Sequence, residues 1–136
     1  MQLVPVIVIT GSASGIGYGL AEAFVARGCK VMLSDLPGDR LDAAIARLGT
    51  PALVASQACD VSQRAQVQDL WDAAIARFGQ VDFWLNNAGV GPPVIRLDEV
   101  PPDWIDRAID VNLKGVLWGI AAALPLKVFP PLFNRY

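Results

Sequence analysis

Thr10-Gly11-Ser12-Ala13-Ser14-Gly15-Ile16-Gly17 decides how this chain folds. It follows the apolar run Val6-Ile7-Val8-Ile9 and leads into Leu20-Ala21-Glu22-Ala23-Phe24-Val25-Ala26, so its glycines fall at a strand-to-helix junction. Gly11 lets the chain turn off the strand. Gly15 omits a side chain where a phosphate would approach the backbone, and Gly17 lets the first helical turn pack against the sheet. Unpaired N–H groups and the positive end of the helix dipole then converge on one place, which suits a dianionic pyrophosphate. The spacing Gly-x-x-x-Gly-x-Gly is neither Gly-x-Gly-x-x-Gly nor a Walker loop, which needs Lys-Ser/Thr after its last glycine. The plainer alternative is a left-handed turn between a strand and a helix. The flanking strand and helix favour phosphate binding.

Outward from this loop the chain alternates. Residues 4–9 form a continuous, mostly β-branched apolar run, the pattern of a central parallel strand covered on both faces, with Pro5 tolerated only at its start. A helix is expected over 15–27, ending at Gly28, and a second strand over 30–34. Pro37 and Gly38 turn the chain into a helix over 39–48 that stops at Gly49. A third strand is expected over 52–57, then a helix from an N-cap at Ser62 through Phe78, and a fourth strand over 81–85. Residues 103–124 read as a long final helix. Alternation of this kind implies right-handed βαβ units and an α/β doubly wound parallel sheet of strand order 3-2-1-4. Asp42-Ala43-Ala44-Ile45-Ala46-Arg47 recurs letter for letter from Asp72 to Arg77. Two equivalent helices sharing one good helical sequence explain this, since solenoids need at least three copies.

Composition bounds the function. At 136 residues and 54% hydrophobic, the chain is expected to be one globular domain. Residues 1–126 would form it, and 127–136 an atypical proline-rich tail. A net charge of −2 without a basic run disfavours nucleic acid as a partner. Cys29 and Cys59 are the only cysteines and histidine is absent, so neither a zinc site nor a disulfide framework is expected. Both cysteines read as small buried hydrophobes in a reducing, cytoplasmic setting. The N-terminus lacks the positive flank and cleavage site of a signal peptide. Residues 115–133 are apolar, but Lys127, Pro125, Pro130 and Pro131 interrupt them, which favours a buried or interface helix over a membrane span.

Chemistry is expected where strands end. Asp35 closes the second strand, where its carboxylate would accept hydrogen bonds from an adenosine ribose. Ser14 and Leu36, its neighbours across and along the chain, are uncharged. Two like charges ~4 Å apart in a partly shielded site repel by up to ~4 kcal/mol, so Asp35 should select NAD over NADP. Arg40 could reach a 2′-phosphate, and a solvated aspartate in a turn is the plainer reading of Asp35. Asp60, read as ending the third strand, either accepts from the adenine amino group or caps the next helix. Asn86-Asn87-Ala88-Gly89 follows the fourth strand. Its amides could tie that strand end to its neighbours, while Ala88 and Gly89 leave room for a cofactor.

Thr-Gly-x-x-x-Gly-Ile-Gly at 10–17, Asp60, Asn-Asn-Ala-Gly at 86–89 and Asp-Val-Asn-Leu-Lys-Gly at 110–115 together resemble the short-chain dehydrogenase/reductase family, in order and at its spacing. The resemblance covers roughly residues 4–126 and implies a Rossmann-like sheet and an NAD(P)(H)-dependent oxidoreductase, usually dimeric or tetrameric. It implies that Gly11, Ser14, Gly15, Ile16 and Gly17 hold the pyrophosphate, and that Asp35, with Leu36 beside it, takes the ribose. Asp60 and Val61 would hold the adenine, and Asn87, Ala88 and Gly89 would lie along the nicotinamide. Asn112 matches the asparagine of the family's Asn-Ser-Tyr-Lys tetrad, which holds a proton-relay water.

The chain departs from the family in its catalytic groups. The family's serine lies on a fifth strand and its Tyr-x-x-x-Lys on the following helix, and neither has a counterpart here. Tyr18 has Glu22 four residues on, Tyr136 is the last residue, and every serine lies at or before Ser62. Protonating a nascent alkoxide needs a positioned acid, and lowering a tyrosine pKa needs a nearby cation. Pro125 and Phe129-Pro130-Pro131-Leu132-Phe133 also break the pattern where helix would continue. A truncated or frame-shifted product, a splice variant and an incomplete sequence all accommodate this tail. Three readings stay open: a cofactor-binding half that does not turn over alone, an oxidoreductase completed by other residues, and a non-catalytic assembly protein.

Overall fold

The computed structural model describes residues 4–92 and 94–124. It contains strands β1 (Val6–Thr10), β2 (Lys30–Ser34), β3 (Val54–Ser56) and β4 (Phe83–Leu85), and helices α1 (Gly15–Ala26), α2 (Asp39–Leu48), α3 (Arg64–Phe78), α4 (Pro102–Ile109) and α5 (Gly115–Ala123). The strands form one parallel sheet in the order β3-β2-β1-β4. This is the doubly wound Rossmann-like arrangement expected from the alternation. Every residue of β1 is buried, because its register places Ile7 beside both Val31 and Phe83 and helices cover both faces.

Alternation along the strands sorts the core into two halves. Ile7, Ile9, Val31 and Leu33 point to one face, where Tyr18 and Ala21 of α1 and Leu41 and Ala44 of α2 cover them. Val8 and Met32 point to the other, against Val67, Leu70 and Ala74 of α3. The repeated hexapeptide therefore serves each face once: Ala44 is buried on one side of the sheet and Ala74 on the other. Both helices end on a left-handed glycine, Gly49 at φ 62° and Gly79 at φ 83°.

Several boundaries differ from expectation for local reasons. The third strand is only Val54–Ser56, because Leu53 and Val54 both donate to Thr50 O and close a turn over its expected start. Asp60 therefore lies beyond the strand rather than at its end. The fourth strand begins at Phe83. Asp82 just before it joins the edge through its side chain, Oδ2 accepting from Val6 N–H at 2.7 Å. Ser62 is not the N-cap of α3. Asp60 Oδ1 accepts from Ser62 N–H at 2.9 Å in a local turn that moves the cap to Gln63, which makes no side-chain capping bond. The first helix ends at Ala26 with Arg27 as its cap.

The final helix is long but not uniform. It starts at Pro102, whose missing N–H suits a first turn, and passes from α4 through a wide π turn at Asp110–Lys114 into α5. Small residues bring α5 close to the sheet. A Cβ on Gly115 would lie 2.8 Å from Val61 Cγ2, and one on Gly119 would collide with the Asn86 side chain and lie 2.6 Å from Trp84 Nε1. Trp118 and Ala122 pack on the second core, whereas Leu113, Leu117, Ile120 and Leu124 are exposed. Among the described residues no helix is long and apolar enough to cross a membrane. Pro125 and the tail at 127–136, with the domain boundary at 126, lie outside the described residues.

Candidate functional site

The carboxyl ends of β1, β2 and β4 open onto a cavity of about 880 Å³, at the point where the chain order reverses between β1 and β4. Doubly wound sheets bind their ligands in this crevice. Gly11, Ser14, Ile16, Gly17, Asp35, Leu36, Asp60, Val61, Asn87, Ala88 and Gly89 all line it. The lining also includes Arg40, Cys59, Ser62, Val90, Asp103, Asp106, Arg107, Asp110 and Val111; the sequence marks Arg40, Cys59 as a buried hydrophobe, Ser62 as an N-cap, and Asp110 and Val111 within the 110–115 motif, but gives Val90, Asp106 and Arg107 no role. Gly15 and Asn112 do not line it; Asn112 borders a separate apolar groove with Val90, Trp104, Ile109 and Leu113.

The glycine-rich loop is shaped by close approach. Gly11 has φ 65°, and a Cβ there would lie 2.7 Å from Ala88 Cα. A Cβ on Gly17 would collide with Gly11 O and lie 2.6 Å from Asn87 Nδ2. These contacts join the loop to the segment after β4. Asn87 Nδ2 donates to Thr10 O and Gly11 O, both at 3.0 Å. Thr10 Oγ1 accepts from Asn87 N–H and Ala88 N–H, both at 3.1 Å, and donates to Leu85 O at 3.3 Å. Thr10 thus builds the site, a role that its place at the head of the 10–17 motif did not assign to it. The available signal was a hydroxyl closing an otherwise apolar strand.

Ser14 is the extended N-cap of α1 and makes no side-chain bond to the helix, so its first-turn N–H groups are left for another acceptor. Asp35 is half-buried beside them. Its Oδ2 accepts from Ala13 N–H at 3.0 Å and its Oδ1 from Leu36 N–H at 2.9 Å. The ion pairs among the described residues are Arg96–Asp98 and Lys114–Asp110, so Arg40, on the same cavity wall, does not neutralise Asp35. Asp60 is held from both sides, receiving Ser62 N–H on Oδ1 and giving its own N–H to Gln66 Oε1 at 2.8 Å.

Burial shifts two titratable groups, Cys59 on the cavity wall and Tyr18 in the core. Burial pushes the Cys59 thiol up to about 11; the neighbouring Ser34 hydroxyl opposes the rise, and Asp60 and Asp69 add to it. Burial likewise raises the Tyr18 phenol, and Glu22 adds to this while Arg47 opposes it. This direction is opposite to the lowering that an activated catalytic tyrosine needs. Among the described residues no three His, Cys, Asp or Glu side chains are grouped to hold a metal.

The short chain dehydrogenase family model matches residues 5–128. The chain belongs to the short chain dehydrogenase family. Among its relatives, momilactone A synthase of Oryza sativa is 41% identical over 115 residues, which is 84% of this chain and 42% of that protein. The 3-ketoacyl-(acyl-carrier-protein) reductase of Brucella melitensis, solved with NADH, superimposes with a TM-score of 0.84 at 33% identity, over 89% of this chain and 49% of that one. The alcohol dehydrogenase of Thermococcus sibiricus, solved with 5-hydroxy-NADP, gives a TM-score of 0.82 at 33% identity, over 90% of this chain and 52% of that one. The chain thus spans about half the length of the relatives it matches.

Proposed function

We propose that this chain is the NAD(H)-binding part of a short-chain dehydrogenase/reductase-type oxidoreductase and that it does not turn over substrate alone. Bound NAD(H) would exchange hydride with an alcohol or ketone. The observation that carries this reading is the Asp35 carboxylate on the wall of the cavity, beside the uncapped first turn of α1. The α1 turn would hold the pyrophosphate through Gly11, Ser14, Gly15, Ile16 and Gly17. Asp35 would accept from the adenosine ribose and repel a 2′-phosphate, with Leu36 alongside. Asp60 and Val61 would take the adenine, and Asn87, Ala88 and Gly89 would border the nicotinamide. Asn112 would position the proton-relay end of the site, while no residue here matches the family's serine or Tyr-x-x-x-Lys.

Titrating NADH and NADPH against the purified chain tests this. NADH should bind more tightly, Asp35→Ala should erase the preference, and no alcohol oxidation should rise above background at saturating NAD. Equal or tighter NADPH binding by the unaltered chain would sink the proposed preference. Failure to bind either dinucleotide would favour an assembly protein, a reading supported by the exposed row Leu113, Leu117, Ile120 and Leu124.

A further inference from the structure

We propose that Ser12 is a positioning residue for dinucleotide discrimination: its buried hydroxyl fastens the glycine-rich loop to the end of β2 and thereby fixes the Asp35 carboxylate. The inference rests on the reading that this cavity takes a nicotinamide dinucleotide through Asp35.

The β1–β2 ladder ends at Thr10 opposite Ser34, and Gly11 then turns the chain away at φ 65°. Ser12 nevertheless returns to β2. Its N–H donates to Ser34 O at 2.9 Å, and its Oγ accepts from Ser34 N–H at 2.9 Å. The hydroxyl proton has Ile9 O at 2.9 Å and Ser34 O at 3.2 Å as acceptors. One side chain thus meets both backbone groups of Ser34 and supplies an extra rung beyond the last strand residue. Ser12 is fully buried, at 0% exposure, so removing its oxygen would leave Ser34 N–H without that acceptor and without water to replace it.

The residues next in line carry this rung to the site. Ala13 follows Ser12 and Asp35 follows Ser34, and Ala13 N–H donates to Asp35 Oδ2 at 3.0 Å. Leu36 N–H holds the other oxygen. Each carboxylate oxygen is oriented by one main-chain N–H and retains acceptor capacity, which is what two ribose hydroxyls require. The Leu36 bond is local to β2 and survives any motion of the loop. The Ala13 bond depends on where Ser12 holds the loop. Without the Ser12 hydroxyl, Asp35 keeps its charge but loses half of its orientation.

A purely structural role and a positioning role make different predictions. Loss of folded protein weakens both dinucleotides by the same factor, whereas loss of Asp35 orientation weakens the one that donates ribose hydroxyls. The experiment is fluorescence titration of NADH and NADPH against the 136-residue chain and its Ser12→Ala and Ser12→Cys variants, with folding checked by circular dichroism. Ser12→Ala should weaken NADH binding by roughly fivefold, the scale of one lost buried hydrogen bond, with little change for NADPH. The NADH-to-NADPH preference should fall by the same factor. Ser12→Cys keeps the volume and a weak donor and should fall between, and it decides the matter by the same ratio if the alanine variant does not fold. An unchanged ratio, or loss of folding in both variants, overturns the positioning role and leaves Ser12 as a support of the sheet. Absence of NADH binding by the unaltered chain overturns instead the reading of the cavity on which this inference rests.

Discussion

The side-chain amide of Asn112 closes a two-way pair with the backbone of Val90, Nδ2 donating to Val90 O and Oδ1 accepting from Val90 N–H, both at 2.8 Å. This pair pins the segment after β4 to the π turn that interrupts the last helix, and a Cβ on Gly89 would lie only 3.3 Å from Asn112 Oδ1. The amide spends one N–H and one acceptor position on Val90, leaving its second N–H free. Asn112→Ala should therefore cost about 1 kcal/mol of stability, given the exposure of the pair. A urea midpoint equal to that of the unaltered chain would show that the bonds contribute nothing.

The two glycines Gly119 and Gly19 should respond in opposite directions to alanine. At Gly119 the new methyl would strike the Asn86 side chain and break the 2.9 Å bond from Trp84 Nε1 to Asn86 Oδ1, so Gly119→Ala should destabilise by roughly 1–3 kcal/mol. At Gly19, inside α1, nothing lies within 4 Å of the added methyl. Gly19→Ala should stabilise by about 1 kcal/mol through helix propensity. Thermal melts of the two variants check this, and stabilisation by Gly119→Ala would contradict the close approach of α5.

Cys59 sets an alkaline limit. Its folded pKa of about 11 lies above the ordinary 9.0, so the fold favours the neutral thiol. The sign follows from linkage: this contribution is fully present below about pH 9 and is lost as pH rises from 9 through 11. Denaturation midpoints should decline over that window, and less steeply in Cys59→Ala. Parallel declines for the two proteins would assign the loss to other groups.

Self-association should follow from apolar surface exposed among the described residues. Phe83 lies on the edge strand and is 58% exposed, and Leu113, Leu117, Ile120 and Leu124 form an apolar row on the last helix. We expect a dimer or larger species at micromolar concentration by light scattering, and a shift toward monomer in Leu117→Glu. A soluble monomer of unaltered sequence across that range refutes this.

Much of the fold was legible because its signals are local. The uninterrupted apolar run at β1 announced a strand buried on both faces, and Gly28 and Gly49 marked helix ends with positive φ values. Boundaries were less legible where a side chain competed with the backbone. Asp60 captures Ser62 N–H and shifts the start of α3, and Asp82 captures Val6 N–H beside a fourth strand that begins only at Phe83. The π turn at Asp110–Lys114 left no mark in the apolar periodicity that was read as one long helix.

By itself the sequence determined the parallel α/β order, the glycine-rich junction and the residue types gathered at the strand ends, since hydrophobic period, glycine placement and strand–helix alternation are carried by neighbouring residues. Tertiary structure alone decided which groups meet between the elements that surround the crevice. Thr10 with Asn87, Ser12 with Ser34, and Asn112 with Val90 are joined by hydrogen bonds between residues more than twenty positions apart. Such bonds exist only once the sheet has set the register that brings their donors within about 3 Å of their acceptors.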